Sequence, residues 1–213
     1  MNMPKDEFEE AIAGIRGIMP GDQKWTLCRY SNMVSGVRLE IGCLAGLSTC
    51  CLALGMNDDD DELISVDTFS LRRLGEQDIS NWSYRVICEV LFRSEFDDDN
   101  FYEAWETQIG MVNHRGLIRA VIGDRIEKIG EVKDVLAGRK ISLLFIDGPH
   151  SREAITEELE NYLELVERGG YVLFHDYNPA PPDDGACLAV SDYIGRGLLK
   201  AVEPGYLYVT QKT

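Results

Sequence analysis

Five short apolar segments recur along this chain, and each ends in polar or glycine residues suited to binding a ligand. They are segments 37–41, 63–67, 118–122, 141–146 and 171–174. Helical patterns separate several of them, and strands alternating with helices are typical of an α/β protein with a parallel sheet. The carboxyl ends of parallel strands meet at one edge of the sheet, where ligands bind. Helix capping explains one polar strand end but not five, so the pattern predicts a ligand site at that edge.

The first segment runs into a glycine turn, Glu40-Ile41-Gly42-Cys43-Leu44-Ala45-Gly46-Leu47-Ser48. Glycine at positions 42 and 46 permits close approach of the backbone to a ligand, and the free N–H groups of a following helix would face it. The spacing is G-x-x-x-G, whereas a dinucleotide site has G-x-G-x-x-G, so the loop disfavours NAD. Asp67 follows about 20 residues later, where doubly wound folds place the carboxylate that binds ribose. A purely structural turn from strand to helix is the alternative.

From residue 37 to the C-terminus the chain resembles class I S-adenosylmethionine-dependent methyltransferases, with Glu-Ile-Gly-x-x-x-Gly-x-Ser as the cofactor loop. It is most similar to two O-methyltransferase branches, the macrolide-sugar type and the catechol/caffeoyl-CoA type. The macrolide-sugar pattern resembles Asp-Gly-Pro-His at 147–150 and Gly-Gly-Tyr-Val-Leu-Phe-His-Asp-Tyr at 169–177. Leu44 replaces the middle glycine of the common loop. The resemblance implies a doubly wound, mostly parallel, seven-stranded Rossmann-like sheet with a terminal antiparallel strand.

The resemblance also implies the site residues. Cofactor binding is expected at Glu40, Gly42, Gly46, Ser48, Asp67, Gly123, Asp124 and Asp147. His150 is expected to be the general base, because the catechol branch has lysine and the sugar branch histidine at this position, and neutral imidazole accepts a proton near pH 7. Capping of the following helix is the alternative role for His150. His175 is expected to bond the backbone or orient Asp176, and His114 to lie on the surface.

Asp147 and Asp176 end neighbouring predicted strands, so their carboxylates are expected to converge on a divalent cation. Carboxylate oxygens suit Mg²⁺. A bound cation lowers the pKa of an acceptor hydroxyl and fixes its position. In the catechol branch an asparagine directly follows the second acid, but here Tyr177 intervenes, and the remaining protein ligand is not identified.

Composition narrows the classes of partner. The 213 residues, 45% of them hydrophobic, suffice for one α/β domain with a sizeable core. A net charge of −16, from 37 acidic and 21 basic residues, disfavours nucleic acid as partner. The N-terminus lacks the pattern of a secretory signal, and no apolar run is long enough to span a membrane. The six cysteines show no zinc spacing, so reduced thiols in the cytoplasm are expected.

The organisation predicted is a single methyltransferase domain over residues 1–213, with residues 1–36 as an N-terminal helical cap. A helix over 7–19 either covers the cofactor entrance or simply packs there. Residues 69–99 are expected to form an insertion that is either a lid or substrate wall, or an oligomer contact. The acidic run 58–62 is expected to be a solvated loop, and a helix over 152–167 to be closed by Arg168-Gly169-Gly170. Segments 201–202 and 206–211 are expected to form the terminal antiparallel pair.

The expected function is transfer of a methyl group from S-adenosylmethionine to a hydroxyl of a small molecule, a sugar or natural product. Three alternatives come from other readings of the same residues. They are a catalytically altered relative with this fold, an NAD-dependent oxidoreductase and a non-catalytic cofactor-binding partner. Assembly as a homo-oligomer is left open.

Overall fold

A computed structural model of the chain describes residues 3–70, 101–177 and 185–213. Within these ranges the helices and strands alternate as the sequence predicts. In chain order they are α1 (Lys5–Ile12), α2 (Gly21–Asn32), β1 (Val37–Ile41), α3 (Leu47–Leu54), β2 (Glu62–Asp67), α4 (Phe101–Ile109), β3 (Leu117–Ile122), α5 (Ile129–Leu136), β4 (Ile141–Ile146), α6 (Arg152–Tyr162), a 3₁₀ turn (Leu163–Leu165), β5 (Val166–Phe174), α7 (Gly185–Gly195), β6 (Leu199–Glu203) and β7 (Tyr208–Lys212).

The seven strands in the described ranges form one sheet in the order β3-β2-β1-β4-β5-β7-β6. Strands β1 to β5 are parallel, and β7 runs antiparallel to both of its neighbours. The strand order reverses direction at β1, between β2 and β4, which is the switch point where ligands bind in open α/β sheets. The predicted Rossmann-like fold with a terminal antiparallel strand is therefore confirmed.

Helices cover both faces of the sheet. On β4, Leu144 packs into a core shared with α5, α6 and α7, whereas Leu143 and Phe145 pack into a second core with α1, α2 and α3. Successive side chains of a strand point to opposite faces, so a strand buried on both faces must be apolar at every position. This explains why the central strands appear as continuous apolar runs in the sequence.

The helix predicted over 152–167 is too long. Helix α6 ends at Tyr162, and β5 begins at Val166, which is buried. Gly169 has φ 83° inside β5. Val166 pairs with Ile141 and Tyr171 with Leu143, so the pairing between β4 and β5 is irregular there. The glycine pair thus accommodates a bulge in a strand instead of closing a helix.

The N-terminal segment contains two helices where one was predicted. Helix α1 ends at Ile12, and α2 starts directly after Pro20. Gly14 and Gly17 between them are weak helix formers, which accounts for the early end of α1. The two helices pack together through Phe8 and Trp25, whose ring centroids are 5.3 Å apart.

The acidic run is only partly solvated. Asp58, Asp59 and Asp60 are exposed, as expected, but Asp61 and Glu62 are buried. The Asp61 carboxylate lies 2.7 Å from the Arg38 guanidinium. Glu62 is paired with two arginines, Arg119 and Arg139. The prediction of a solvated loop is therefore wrong for these two acids, because basic residues from distant parts of the chain reach them.

The predicted insertion at 69–99 lies outside the described residues beyond position 70. Residues 178–184, after β5, also lie outside them. Among the helices that are described, none is long and apolar enough to cross a lipid bilayer.

Candidate cofactor and catalytic site

The carboxyl ends of the parallel strands form a continuous row. The residue that follows each of these strands donates its backbone N–H to a carbonyl at the end of the neighbouring strand in the sheet. The donors and acceptors are Gly123 to Asp67 (2.8 Å), Gly42 to Val66 (2.9 Å), Asp147 to Ile41 (2.8 Å) and His175 to Ile146 (3.0 Å). The sheet itself therefore brings the predicted cofactor residues and the predicted catalytic residues to one edge.

Both glycines of the turn after β1 are required by its geometry. Gly42 and Gly46 have φ values of 82° and 98°, in the left-handed region that side chains disfavour. A Cβ on Gly42 would lie 2.2 Å from the carbonyl oxygen of Asp147, and one on Gly46 would lie 3.0 Å from the Trp105 ring. Leu44 also has positive φ, at 47°. The turn is thus held in a strained shape, close to both β4 and α4.

The carboxylate of Asp67 fixes this turn. Its Oδ2 accepts hydrogen bonds from the backbone N–H groups of Cys43 (2.7 Å) and Leu44 (2.8 Å), and its Oδ1 accepts from that of Phe69 (2.7 Å). A carboxylate has about four acceptor positions. Asp67 therefore shapes the turn and keeps remaining capacity for a ligand hydroxyl.

Glu40 is fully buried under the turn. Its Oε1 accepts hydrogen bonds from Ser65 (2.5 Å) and Thr49, and the Thr49 hydroxyl accepts one from Trp105 Nε1 (3.0 Å). Ser48 is also bonded to this carboxylate, and burial raises the pKa of Glu40 to about 7. In this arrangement Glu40 joins β1, β2 and α3 beneath the turn.

Helix α4 supplies a residue that the sequence did not indicate. Gln108 donates through Nε2 to the carbonyl oxygens of Ala45 (2.6 Å) and Arg16 (3.0 Å). It thereby ties the segment after α1 to the glycine turn. A single polar residue in an amphipathic helix carries no sequence signal for such a contact.

The loop after β3 forms one wall of an open cavity. Asp124 Oδ1 accepts from the backbone N–H groups of Ile126 (2.8 Å) and Glu127 (3.2 Å), which fixes the turn that follows Gly123. Arg125 lies 2.5 Å from Glu158 on α6, and this carboxylate is buried. The cavity has a volume of about 910 Å³. It is lined by the loop after β3, the loop after β4 and α6, including Asp124, Arg125, Pro149, Ser151 and Arg152.

Four predicted or discussed side chains meet beyond β4 and β5. The Oδ1 atom of Asp147 lies 2.9 Å from His175 Nδ1 and 3.6 Å from His150 Nε2. Asp176 lies 3.4 Å from His175 Nδ1 and 3.8 Å from His150 Nε2. Ligand atoms of Asp147, His150 and His175 all lie within 4.8 Å of one another. We call Asp147, His150, His175 and Asp176 the His/Asp cluster.

The sequence predicted site roles for three members of this cluster, Asp147, His150 and Asp176. It predicted no ligand role for His175. His175 is 7% exposed, and its ring faces both acids. Asp176 has φ 50°, an uncommon conformation for a residue other than glycine. The sequence placed Asp147 and Asp176 at neighbouring strand ends, but the burial of His175 beside them is seen only in the folded sheet.

The charges within the His/Asp cluster support one another. Burial opposes the charge of His175, but Asp147 and Asp176 raise the pKa of its imidazole to about 10. Burial also opposes ionisation of Asp147, yet His175 and His150 hold the pKa of that carboxyl below its usual value. The pKa of His150 is raised, since Asp147 and Asp176 outweigh the effect of burial. Carboxylate and imidazole donors this close together also have the chemistry of a divalent metal site.

Known proteins place this chain in a family. A family model described as a methyltransferase domain matches residues 39–177, more than half of the chain. An O-methyltransferase from Bacillus cereus, solved with S-adenosylhomocysteine, has 15% identity and a TM-score of 0.56 over 98% of this chain and 90% of its own.

Two further solved structures share the fold. TomG from Streptomyces achromogenes, an O-methyltransferase of tomaymycin synthesis in complex with S-adenosylmethionine, has 16% identity and a TM-score of 0.56 over 98% of this chain and 89% of its own. CalS11, a TDP-rhamnose 3'-O-methyltransferase of calicheamicin biosynthesis, has 15% identity and a TM-score of 0.53 over 98% and 80%. With the matched family model and the observed sheet, the class I methyltransferase expected from the sequence is confirmed, and the chain belongs to the methyltransferase domain family.

Proposed function

We propose that the chain transfers a methyl group from S-adenosylmethionine to a hydroxyl group of a small molecule, a sugar or another natural product. The observation that carries this proposal is the His/Asp cluster beside the glycine turn. Gly42 approaches the carbonyl of Asp147 so closely that no side chain fits between them. A group able to accept a proton therefore lies next to the loop that suits the cofactor. TomG and CalS11, two O-methyltransferases that share the fold, support the same reaction.

The cofactor would lie along the row of strand ends. The N-terminus of α3, next to Ser48, offers free N–H groups for a carboxylate. Asp67 would accept hydrogen bonds from the ribose hydroxyls, using the acceptor positions of its carboxylate that are not bonded to the turn. Gly123 and Asp124 would lie beside the adenine of the cofactor, at the cavity between the loop after β3 and α6. The reactive sulfonium belongs to the cofactor, so the protein's task is to orient it and the acceptor.

His150 would remove the proton of the acceptor. Its side chain is 41% exposed, so an acceptor can reach it from solvent, and Asp147 and Asp176 flank its Nε2. These two carboxylates would hold a divalent cation, for which oxygen ligands alone favour Mg²⁺. Such a cation, when bound, lowers the pKa of a hydroxyl.

The setting proposed for this reaction is the cytoplasm, with a small acceptor. Among the described cysteines no disulfide forms, and several thiols are buried, which suits a reducing compartment. The net charge of −16 disfavours a polyanionic acceptor such as nucleic acid.

Calorimetric titration of the purified protein with S-adenosylmethionine and with NAD tests the cofactor. We expect saturable binding of S-adenosylmethionine and no binding of NAD. Methyl transfer from labelled cofactor to nucleotide sugars, free sugars and catechols then tests the acceptor class. Binding of NAD in place of S-adenosylmethionine would remove the basis of the proposal.

Replacing Asp67 by alanine should weaken binding of S-adenosylmethionine by about 1.5–3 kcal/mol, the usual contribution of hydrogen bonds to a charged group. The variant also loses three hydrogen bonds that shape the glycine turn, so its unfolding free energy should fall as well. Calorimetry and urea denaturation on the same preparation separate the two effects. Asp134→Ala, on α5, serves as the matched control. Full affinity in a folded Asp67→Ala protein would take Asp67 out of the ribose site.

A further inference from the structure

Gln108 on α4 fastens the segment between α1 and α2 to the glycine turn. Its side chain is buried, and its Oε1 accepts a hydrogen bond from the backbone N–H of Arg16. Its Nε2 donates to the carbonyl oxygens of Arg16 (3.0 Å) and Ala45 (2.6 Å). A side-chain amide has two N–H donors, so each of the two segments receives one. One side chain therefore holds both backbone polar groups of residue 16 and the turn at the same time.

The segment between the two helices, residues 13–19, also lies directly against the start of α3. We call this segment the strap. A Cβ on Gly17 would lie 2.5 Å from Cβ and 2.7 Å from Cδ2 of Leu47, the first residue of α3. Leu47 and Ser48 are only 6% and 5% exposed. The backbone N–H groups that would bind the carboxylate of the cofactor thus lie beside the strap.

The strap is mostly exposed to solvent. It contains neither helix nor strand, and its exposed residues are Ala13, Gly14, Arg16 and Ile18. Segments with exposed backbone and little buried apolar surface open locally at a small cost in free energy, while the rest of the domain stays folded. The hydrogen bonds of Gln108 and the close contact at Gly17 therefore determine how often the strap opens.

We propose that the strap is a gate to the cofactor site and that Gln108 holds it closed. S-adenosylmethionine enters and leaves when the hydrogen bonds between Gln108 and Arg16 break and the strap moves away from Leu47. The inference rests on the proposed function for the identity of the cofactor, and it adds the route by which the cofactor enters.

A gate of this kind has its own kinetic signature. A ligand that binds only to an open form associates more slowly, because most molecules are closed when it arrives. Dissociation from the closed complex also requires opening. Since the same contacts hold the strap in the free and the bound protein, weakening them should raise both rates together and change Kd little. A residue that only supports the shape of the site would instead raise the dissociation rate alone.

The test measures association and dissociation of S-adenosylhomocysteine with the full chain by stopped flow. Tryptophan fluorescence provides the signal, because Trp105 lies against Gly46. Methionine at position 108 has a similar length but no amide. We expect Gln108→Met to raise both rates at least about fivefold, as expected for the loss of two hydrogen bonds, and to change Kd by less than about threefold.

Gly17→Ala is an independent variant that keeps the amide of Gln108. Its Cβ would press on Leu47 and move the strap outward, so both rates should rise here as well. Gly14→Ala, in the same strap, is the matched control. Among the described residues its Cβ would approach only the exposed Met111, at 3.3 Å from Cε, so its rates should equal those of the wild type.

Hydrogen exchange at residues 13–19 measures the opening without a ligand, and it should be faster in Gln108→Met and Gly17→Ala than in the wild type. A folded wild-type protein that binds no S-adenosylhomocysteine refutes the proposed function and the gate together. Wild-type binding with unchanged rates in both variants refutes the gate alone. Faster dissociation at an unchanged association rate would assign Gln108 to support of the turn and would also overturn the gate.

Discussion

Alanine in place of His150 is expected to lower kcat by roughly 10²–10⁴-fold, the usual contribution of a general base, without changing the affinity for S-adenosylmethionine. The reason is its place in the His/Asp cluster. Nε2 of His150 lies near Asp147 and Asp176, and the side chain is the more exposed of the two histidines. Loss of the imidazole therefore removes the proton acceptor and leaves the glycine turn intact. Steady-state kinetics with calorimetry of S-adenosylhomocysteine binding measures both quantities.

The pH dependence of the wild-type enzyme provides a second readout for His150. A base acts only when it is neutral, so the rate should fall as pH decreases through the pKa of His150. Burial opposes the charge of His150, but Asp147 and Asp176, while they carry no cation, raise that pKa above its ordinary value of about 6.5. A cation bound to the two acids offsets their negative charge, so the metal-bound enzyme should keep its rate to a lower pH than the two carboxylates alone would allow. His114→Ala should retain the wild-type rate and profile, and a fully active His150→Ala protein would exclude His150 as the base.

The sheet could be predicted from sequence because its central strands are buried on both faces. Residues 37–41 and 141–146 are strands over the same residues in the structure. Their apolar runs end where the chain reaches the ligand edge, so the polar residues that follow report the edge directly. For the same reason Asp147, His150 and Asp176 could be placed together before the fold was known.

Other features depend on contacts between distant parts of the chain. The boundary between α6 and β5 was missed because Val166 continues the apolar stripe of the helix while it belongs to a bulged strand. His175 and Gln108 have partners that come from other elements. Neither residue type nor spacing identifies such partners, since burial and pairing arise only when the elements pack.

The burial of Asp61, in the acidic run before β2, also depends on a contact with a distant residue. That contact should contribute strongly to stability. Asp61 and Arg38 have side chains that are 2% and 0% exposed, with 2.7 Å between their charged groups. Arg38 also donates to the carbonyl oxygens of Ser31 (2.7 Å), Val34 (2.7 Å) and Gly36 (2.9 Å). These neutral acceptors satisfy its N–H groups but do not balance its charge.

Asp61→Ala is therefore expected to reduce the free energy of unfolding by about 3–5 kcal/mol, because it leaves a buried guanidinium without its counter-charge. It also removes acceptors for the backbone N–H groups of Gly36 (2.8 Å) and Asn57 (3.0 Å). Urea denaturation of the two proteins measures the loss. A loss below about 1 kcal/mol, the value typical of surface ion pairs, would show that the pair is solvated in solution.

The neighbouring acid Asp59 provides a matched control from the same run. Its side chain is 86% exposed and 4.0 Å from Arg115, so Asp59→Ala should change the unfolding free energy by less than about 0.5 kcal/mol.

Burial opposes ionisation of Asp61, but Arg38 and the backbone of Gly36 and Asn57 lower its pKa. A carboxyl with a lowered folded pKa stabilises the protein above its unfolded pKa of about 3.9 and loses that contribution as pH falls toward the folded value. The difference between Asp61→Ala and wild type should thus persist at neutral pH and shrink in acid, whereas a purely steric defect would not depend on pH.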